Sequence, residues 1–172
     1  RPMSAATGDL NQAGWPELVV VSRGAGTVSV LLGNGDGTFR ARTDFATGTD
    51  PFSVATGDLN GDGKLDVAVV NSSSNTVSIL LGNGDGSLRP KTDYATGGQP
   101  YSVAIADLNG DTRPDLAVAD RGTNAVSVLL GNGDGSFAPR TDYVAGLFPQ
   151  SFVIKDLDGD GQLDLAVANE QS

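Results

Sequence analysis

The hydrophobic residues of this chain fall in short runs that are rich in valine and are bounded by glycine, asparagine, aspartate or proline. In residues 49–97 these runs predict four β-strands, which we label A to D: residues 52–56, 66–71, 76–81 and 91–95. Short length and branched side chains are typical of strands, and no stretch keeps the periodicity of an amphipathic helix. The pattern therefore predicts an all-β fold.

The same pattern recurs along the chain with a fixed period. The aspartate-rich segment between strands A and B begins at positions 9, 58, 107 and 156, which are 49 residues apart. Two further elements keep this period: Leu-Leu-Gly-Asn-Gly-Asp-Gly at 31–37, 80–86 and 129–135, and an aromatic element that ends at Gly48, Gly97 and Gly146. Three independent markers on one period identify an internal repeat.

Four short antiparallel strands in about 50 residues form the blade of a β-propeller. A β-solenoid is the alternative, but its repeats are shorter and its strands are parallel. The period divides a single partial propeller, 1–172, into blade 1 (1–48), blade 2 (49–97), blade 3 (98–146) and half of blade 4 (147–172). We expect about three and a half blades, either as part of a longer propeller chain or self-associating through open blade edges.

The A–B segments carry the spacing Asp-x-Asn/Asp-x-Asp-Gly-x-x-Asp, as in Asp58-Leu-Asn-Gly-Asp-Gly-Lys-Leu-Asp66. Short oxygen-bearing side chains at alternate positions can wrap around a hard cation, and glycine permits the sharp turn that this requires. The spacing therefore predicts Ca²⁺ sites. The predicted side-chain ligands are Asp58, Asn60, Asp62, Asp66, Asp107, Asn109, Asp111, Asp115, Asp156, Asp158, Asp160 and Asp164, with Lys64, Arg113 and Gln162 contributing backbone carbonyls.

Two other structures could carry this spacing of aspartates. An EF-hand is excluded, because the glutamate that ends its twelve-residue loop would be Val69, which lies inside a predicted strand. Tight Asp-Gly turns without a metal remain the other interpretation. In the third loop Thr112 replaces the glycine, so we expect backbone strain there.

The first A–B segment departs from the pattern. Ala13 stands in place of the central carboxylate, and Glu17 replaces the last aspartate. The remaining candidate ligands, Asp9, Asn11 and Glu17, are expected to bind calcium weakly or not at all.

The charge is also concentrated in aspartate. The chain has a net charge of −10, and 19 of its 21 acidic residues are aspartates, the residue that cation sites and turns prefer. Nucleic acid is not expected as a partner, because phosphate binding needs clustered lysine and arginine. There is no cysteine for disulfides or thiolate metal sites, and no apolar run approaches the length of a membrane span.

An enzymatic function is not expected. The chain has no histidine, no cysteine and two glutamates, and nearly every aspartate belongs to a loop or turn. Asp50 and Asp120 are the carboxylates left over for acid–base chemistry, which would need a perturbed pKa in a cleft.

The segment Phe52-Ser-Val-Ala, the loop that follows it and the apolar strand Val67-Ala-Val-Val70 resemble FG-GAP and related VCBS-type repeats, the family that builds the integrin α-chain propeller. The resemblance covers essentially the whole chain, once per unit. The Gly-Ala-Pro that follows strand B in that family is missing here, where Val70-Asn71-Ser72 stands.

This resemblance implies an extracellular or cell-surface protein that binds Ca²⁺ in these loops and serves in adhesion, with a carbohydrate or an extracellular protein as its ligand. Some related propellers are polysaccharide lyases, so the family does not fix the function. A self-assembling repeat of a filament or surface layer, and a non-catalytic fragment of a propeller polysaccharide-degrading enzyme, are the alternatives.

The repeats also predict where a ligand would bind. In an up-and-down blade the A–B and C–D links share one face, and the B–C and D–A links share the other. The first face is nearly identical between units, whereas the second varies, and loops on a rigid scaffold carry binding residues. Drift in unconstrained loops is the alternative. The candidate ligand-binding residues on the variable face are Arg23, Asn71, Asn75, Arg121, Asn124 and Phe148.

Overall fold

The computed structural model describes residues 1–171 and is all-β, as the hydrophobic pattern predicts. Residue 172, the last of the predicted half blade, lies outside the described residues. No helix within 1–171 is both long enough and apolar enough to cross a membrane.

The strands form three four-stranded sheets and one two-stranded sheet. The first sheet contains β1 (Pro2–Gly8), β2 (Glu17–Ser22), β3 (Thr27–Leu31) and β4 (Thr43–Ala46). The second contains β5 (Pro51–Gly57), β6 (Asp66–Asn71), β7 (Thr76–Leu80) and β8 (Thr92–Ala95). The third contains β9 (Pro100–Ala106), β10 (Asp115–Asp120), β11 (Ala125–Leu129) and β12 (Thr141–Val144), and the last contains β13 (Leu147–Lys155) and β14 (Asp164–Gln171).

Within each sheet the strands pair antiparallel in chain order, which is the blade of a propeller. This confirms the predicted fold class. Strand B of the second repeat has the predicted bounds, 66–71, whereas strands C and D are each one residue shorter than predicted. Strands β1, β5 and β9 lie side by side, so strand A of each blade is the inner strand.

The hydrophobic core lies between consecutive blades. Val67 and Val69 of β6 belong to the cluster between blades 1 and 2, whereas Ala68 and Val70 belong to the cluster between blades 2 and 3. All four side chains are fully buried because successive residues of a strand point to opposite faces of the sheet. A continuous apolar run in strand B therefore holds two neighbouring blades at once.

Each repeat has a proline at or near the start of strand A, and the proline is followed by a β-bulge. Phe52 is the extra residue between Pro51 and Ser53, whose Cα partners are consecutive residues of β6. Tyr101 holds the same place in β9. Proline cannot donate a ladder hydrogen bond, and a bulge redirects the side chain of its unpaired residue. The two aromatic residues are thus the unpaired residues at the start of their strands.

The leucine at the second position of the first and second A–B segments closes the space between two blades. Leu10 and Leu59 are each 1% exposed and belong to the two inter-blade clusters. Leu157, the equivalent residue in the half blade, is 59% exposed. The same residue type therefore occupies a core position in one repeat and a surface position in another.

We predict that Leu59→Ala lowers the free energy of unfolding by about 2–5 kcal/mol, because it removes buried apolar surface and leaves a cavity. The matched change Leu157→Ala should lower it by less than about 1 kcal/mol, because that side chain is largely exposed. Urea denaturation of both variants measures the two values. Equal losses would contradict the inter-blade packing described above.

Candidate functional site

Each A–B loop is wound around the carboxylate at its first position. The backbone N–H of Gly61 donates to Asp58 Oδ1 at 2.8 Å, and that of Gly63 donates to Asp58 Oδ2 at 2.8 Å. Asp107 and Asp156 accept equivalent hydrogen bonds in the third and fourth loops. The side chain at the third position, Asn60 in the second loop, accepts from the N–H two residues later. The loops are therefore compact turns, each closed around its first aspartate.

The last aspartate of the loop ties it to the C–D hairpin. Asp66 is fully buried, and its Oδ2 accepts from Leu59 N at 2.9 Å while its Oδ1 accepts from Gly82 N at 2.7 Å. Asp115 makes the same pair of bonds in the third repeat. Burial raises the pKa of Asp66, and the two N–H donors oppose that shift. Each oxygen keeps a further lone pair, so the predicted ligand role of this residue stands as a prediction.

Close packing explains why the residue at the start of the hairpin is glycine. A Cβ on Gly82 would lie 2.1 Å from the carbonyl oxygen of Leu65, and one on Gly131 would lie 2.1 Å from that of Pro114. No side chain fits at either position. The hairpin backbone thus sits directly against the entry to strand B, where the buried aspartate can reach it.

The fourth loop brings carboxylate oxygens of three of its aspartates close together. Asp156, Asp158 and Asp164 each offer a carboxylate oxygen, and these atoms lie within 4.8 Å of one another. Two oxygens bound to one Ca²⁺ at about 2.4 Å can be at most ~4.8 Å apart, so this set fits the ion. In the second and third loops Asn60 and Asn109 stand where Asp158 stands, and they offer an amide oxygen instead.

The residues predicted to contribute backbone carbonyls place their side chains on the central carboxylate. Arg113 Nη2 donates to Asp111 Oδ2 at 2.5 Å, and this contact lowers the pKa of Asp111 to about 2. Gln162 Nε2 donates to Asp160 at 2.8 Å, whereas the Lys64 ammonium lies 3.9 Å from a carboxylate oxygen of Asp62. These neighbouring side chains therefore orient the carboxylates of the central aspartates.

Thr112 adopts a φ of +68°, the left-handed conformation that the replaced glycine would take readily. The third loop is thus strained where the sequence predicts strain. It nevertheless keeps the fold of its neighbours, because the Thr112 N–H donates to Asp107 Oδ2 at 2.8 Å.

The first loop keeps its shape by other contacts. Glu17 is buried and its Oε2 accepts from Leu10 N at 2.6 Å and Asn11 N at 3.2 Å. Its Oε1 is buried without a hydrogen-bond partner among residues 1–171. The N–H of Ala13 donates to Asp9 Oδ1 at 3.0 Å, as the N–H groups of Asp62 and Asp111 do to the first aspartates of their loops, so the backbone of the loop is unchanged although the central carboxylate is missing. The predicted loss of calcium binding in this loop stays a prediction.

The loops divide between two faces as the sequence predicts. On the face of the A–B loops, the Gly86 N–H of one hairpin donates to the Leu10 carbonyl of the preceding blade at 3.1 Å. On the opposite face, which we call the variable face, B–C loops meet D–A links. There the Arg121 N–H donates to the Gln99 carbonyl at 3.1 Å.

Three of the candidate ligand-binding residues on the variable face use their side chains for hydrogen bonds within the protein. Asn71 is fully buried, and its amide nitrogen donates to Ser78 Oγ at 2.9 Å, so its assignment to the ligand surface is corrected. The other two, Asn75 and Asn124, use their side-chain oxygens to accept from backbone N–H groups of the next D–A link, at Gln99 and Phe148. Those bonds fix the link, which has a positive φ at each recipient.

The remaining candidates surround a cleft. Arg23 Nη2 lies 3.3 Å from Asp50 Oδ2, and Arg121 Nη2 lies 2.7 Å from Glu170 Oε2. The Arg121 guanidinium carbon is 5.0 Å from the ring centroid of Phe148. The cleft has a volume of about 450 Å³ and is lined by Arg23, Phe52, Ser72, Ser73, Asn75, Gln99, Tyr101 and Arg121.

Sequence reasoning missed the two aromatic residues of this cleft. Phe52 and Tyr101 have ring centroids 3.8 Å apart, although they come from different blades. The signal was present, because a proline recurs at Pro2, Pro51, Pro100 and Pro149 at the start of strand A, and the residue after it is the unpaired one. A proline at a strand start marks a bulge position.

Asp120 is a buried carboxyl beneath the variable face. Ser127 Oγ lies 2.5 Å from Asp120 Oδ2 and 2.8 Å from Asp142 Oδ1, but one hydroxyl has a single proton to donate. A proton on Asp120 would satisfy both contacts. Burial raises the pKa of Asp120 to about 6, in agreement with this arrangement. Asp50, by contrast, has its pKa lowered by hydrogen bonds from Ser73 and Arg23.

Comparison with known protein families finds one match, the FG-GAP-like repeat. It matches three overlapping segments, 9–69, 58–118 and 107–167, which together span most of the chain. A search of curated proteins finds no match.

Solved structures share the fold. A chain of the Photorhabdus luminescens Tc holotoxin pore is similar with a TM-score of 0.52 and 23% identity, over 94% of this chain and 8% of that one. BBS1N, in a structure of its complex with ARL6DN, is similar with a TM-score of 0.69 and 15% identity, over 96% of this chain and 50% of that one. The chain thus spans at most half the length of these structural relatives.

We predict that Asp120 makes the protein less stable as the pH rises. The folded state holds the Asp120 proton up to a pKa of about 6, whereas the unfolded state releases it near the ordinary value of 3.8. The free energy of unfolding should therefore fall between about pH 4 and pH 6. Asp120→Asn should remove this slope and raise the stability at pH 7 by on the order of 2 kcal/mol.

The reciprocal variant is the control. Asn71 holds the equivalent position in the second repeat, where its amide nitrogen also donates to Thr76 Oγ1 at 3.1 Å. Asn71→Asp should introduce a new fall in stability over the same pH range. Thermal melts between pH 4 and pH 8 measure both effects, and an unchanged slope in Asp120→Asn would refute the protonation of Asp120.

Proposed function

The chain belongs to the FG-GAP-like repeat family, and on that premise we propose that it is a calcium-binding, non-catalytic propeller module. Its calcium loops stabilise the blades, and its variable face holds a carbohydrate or an extracellular protein ligand. The observation that carries the calcium part is the convergence of Asp156, Asp158 and Asp164, whose carboxylate oxygens lie within 4.8 Å of one another. Gathering carboxylates this closely is electrostatically unfavourable without a cation between them.

A role outside the cell or on its surface suits such sites. Extracellular calcium modules bind the ion with a Kd of about 10⁻⁴–10⁻³ M, and loops of this short, aspartate-rich kind would be filled at the calcium concentrations found outside cells. The ligand part of the proposal is supported by the cleft on the variable face, to which three blades contribute. A non-catalytic role is supported by the state of the two spare carboxylates, since Asp50 is paired with Arg23 and Asp120 is buried.

Assembly is a second candidate function, favoured by one observation. Val144 is 96% exposed, Val153 is 64% exposed and Tyr143 is 58% exposed, all beside the half blade. Large apolar side chains that are this exposed favour burial against another surface. Further blades of a longer chain or another copy of the chain would supply that surface.

We predict that calcium raises the thermal stability. The ion binds the folded loops and not the dispersed oxygens of the unfolded chain, so each site adds ~2.7 kcal/mol when free Ca²⁺ exceeds its Kd a hundredfold. In a chain of this size each kcal/mol raises the Tm by about 2–4 °C. Asp62→Ala should remove most of one site's contribution, and Ala13→Asp should create part of a fourth.

Melts with calcium and with excess chelator make this measurement. Asp85→Ala is the matched control, because it removes an aspartate from a hairpin on the same face, where Asp85 Oδ1 accepts from Ser87 N at 2.9 Å. It should lower both melts equally and leave the calcium-dependent difference intact. Identical midpoints with and without calcium would refute the calcium part of the proposal.

We also predict that the ligand binds the variable face. A variant with Arg121→Ala and Phe148→Ala should lose binding on a panel of glycans and matrix proteins. A second variant, with substitutions confined to hairpin residues 83–86 and 132–135, should keep it. Both must retain the melting behaviour of the parent. The opposite result, with the hairpin variant losing binding, would place the ligand on the calcium face.

A further inference from the structure

The cleft on the variable face combines three kinds of surface that one ligand class would use together. Its first wall is aromatic. Phe52 and Tyr101 lie with ring centroids 3.8 Å apart at an interplanar angle of 35°, and both are only partly buried. Aromatic rings bind the apolar face of a sugar ring well, because they offer a flat apolar surface without a large entropic loss.

The second wall is cationic and held in place. The Arg121 guanidinium carbon lies 5.0 Å from the Phe148 centroid and 6.0 Å from the Tyr101 centroid, while its Nη2 donates to Glu170. A guanidinium fixed in this way loses little freedom when it binds an anion, and its planar fork matches a carboxylate. Arg23 adds a second guanidinium from the first blade.

The third part is a set of neutral hydrogen-bonding groups. Ser72, Ser73, Asn75 and Gln99 line the same cleft as the two arginines, and their remaining donors and acceptors can bind hydroxyl groups. The described lining contains no carboxylate, although the chain as a whole has a net charge of −10. The nearby Asp50 and Glu170 pair with the arginines at the margin, and Asp120 is buried within its blade.

We propose that this cleft binds an acidic saccharide, with the carboxylate of a uronic acid on the guanidinium of Arg121, further positive charge from Arg23, and the sugar ring against the aromatic wall of Phe52 and Tyr101. The volume of about 450 Å³ accommodates a mono- or disaccharide. This inference rests on the proposed ligand-binding function and names the ligand class. It is independent of the calcium sites.

The test uses the calcium-loaded chain and oligosaccharide pairs that differ only in a carboxylate, such as cellobiouronic acid and cellobiose. In isothermal titration calorimetry the acidic member of a pair should bind about tenfold more tightly or better. Arg23→Gln and Arg121→Gln should each weaken acidic binding by about tenfold or more, and Arg121→Lys by less. Tyr101→Leu should weaken both members.

Arg89→Gln is the matched control, because it removes the same charge from the calcium face, where Arg89 Nε donates to Asn83 Oδ1. Equal weakening by Arg89→Gln would refute the assignment to the cleft. Equal affinity for acidic and neutral sugars, with loss in Tyr101→Leu, would overturn the acidic class and leave the ligand face. Binding of an oligoglutamate peptide but of no saccharide would overturn the saccharide class. Absence of binding to all of these probes would overturn the inference, while the calcium melts test the rest of the proposed function separately.

Discussion

The hydrogen bonds of the buried aspartate that opens strand B are the interaction on which the face of the A–B loops depends. Asp66 accepts from Leu59 N in the loop before it and from Gly82 N in the hairpin that follows strand C. Unpaired backbone N–H groups in this buried place would be costly, so the aspartate fixes both segments together. The close approach of Gly82 to the Leu65 carbonyl leaves room for no other arrangement. In the second and third blades, loop closure, hairpin position and strand entry are thus set by a single aspartate, Asp66 or Asp115.

The variable face is organised differently, by bonds between blades. Asn75 and Asn124 each accept from the D–A link of the next repeat, so the B–C loops of the second and third blades position the link that follows them. Other side chains on this face, such as Arg121 and Tyr101, can differ between repeats because they do not make these hydrogen bonds to the backbone. The structure of one face is therefore repeated from blade to blade, whereas the side chains of the other face vary.

The sequence predicts the strands well because each run of the repeat is bounded by turn residues whose chemistry is local. The bounds of β6 and the grouping of the loops on two faces follow directly. The prediction for Asn71 was wrong because a polar residue at a strand end can be buried when it has hydrogen-bond partners inside the protein. Its partner Ser78 lies seven residues away in the next strand, so the local sequence does not indicate the contact. The contact of Phe52 with Tyr101 depends on the angle between blades, which no single repeat specifies.

The bulge at the start of strand A has a further consequence. Its residue has no partner in the ladder, and the four repeats carry methionine, phenylalanine, tyrosine and glutamine there behind an unchanging proline. Diversity at these positions leaves the scaffold untouched. The four bulge residues could therefore be substituted together in a designed variant. Such a variant would keep the strand pairing of the propeller and present a different binding surface.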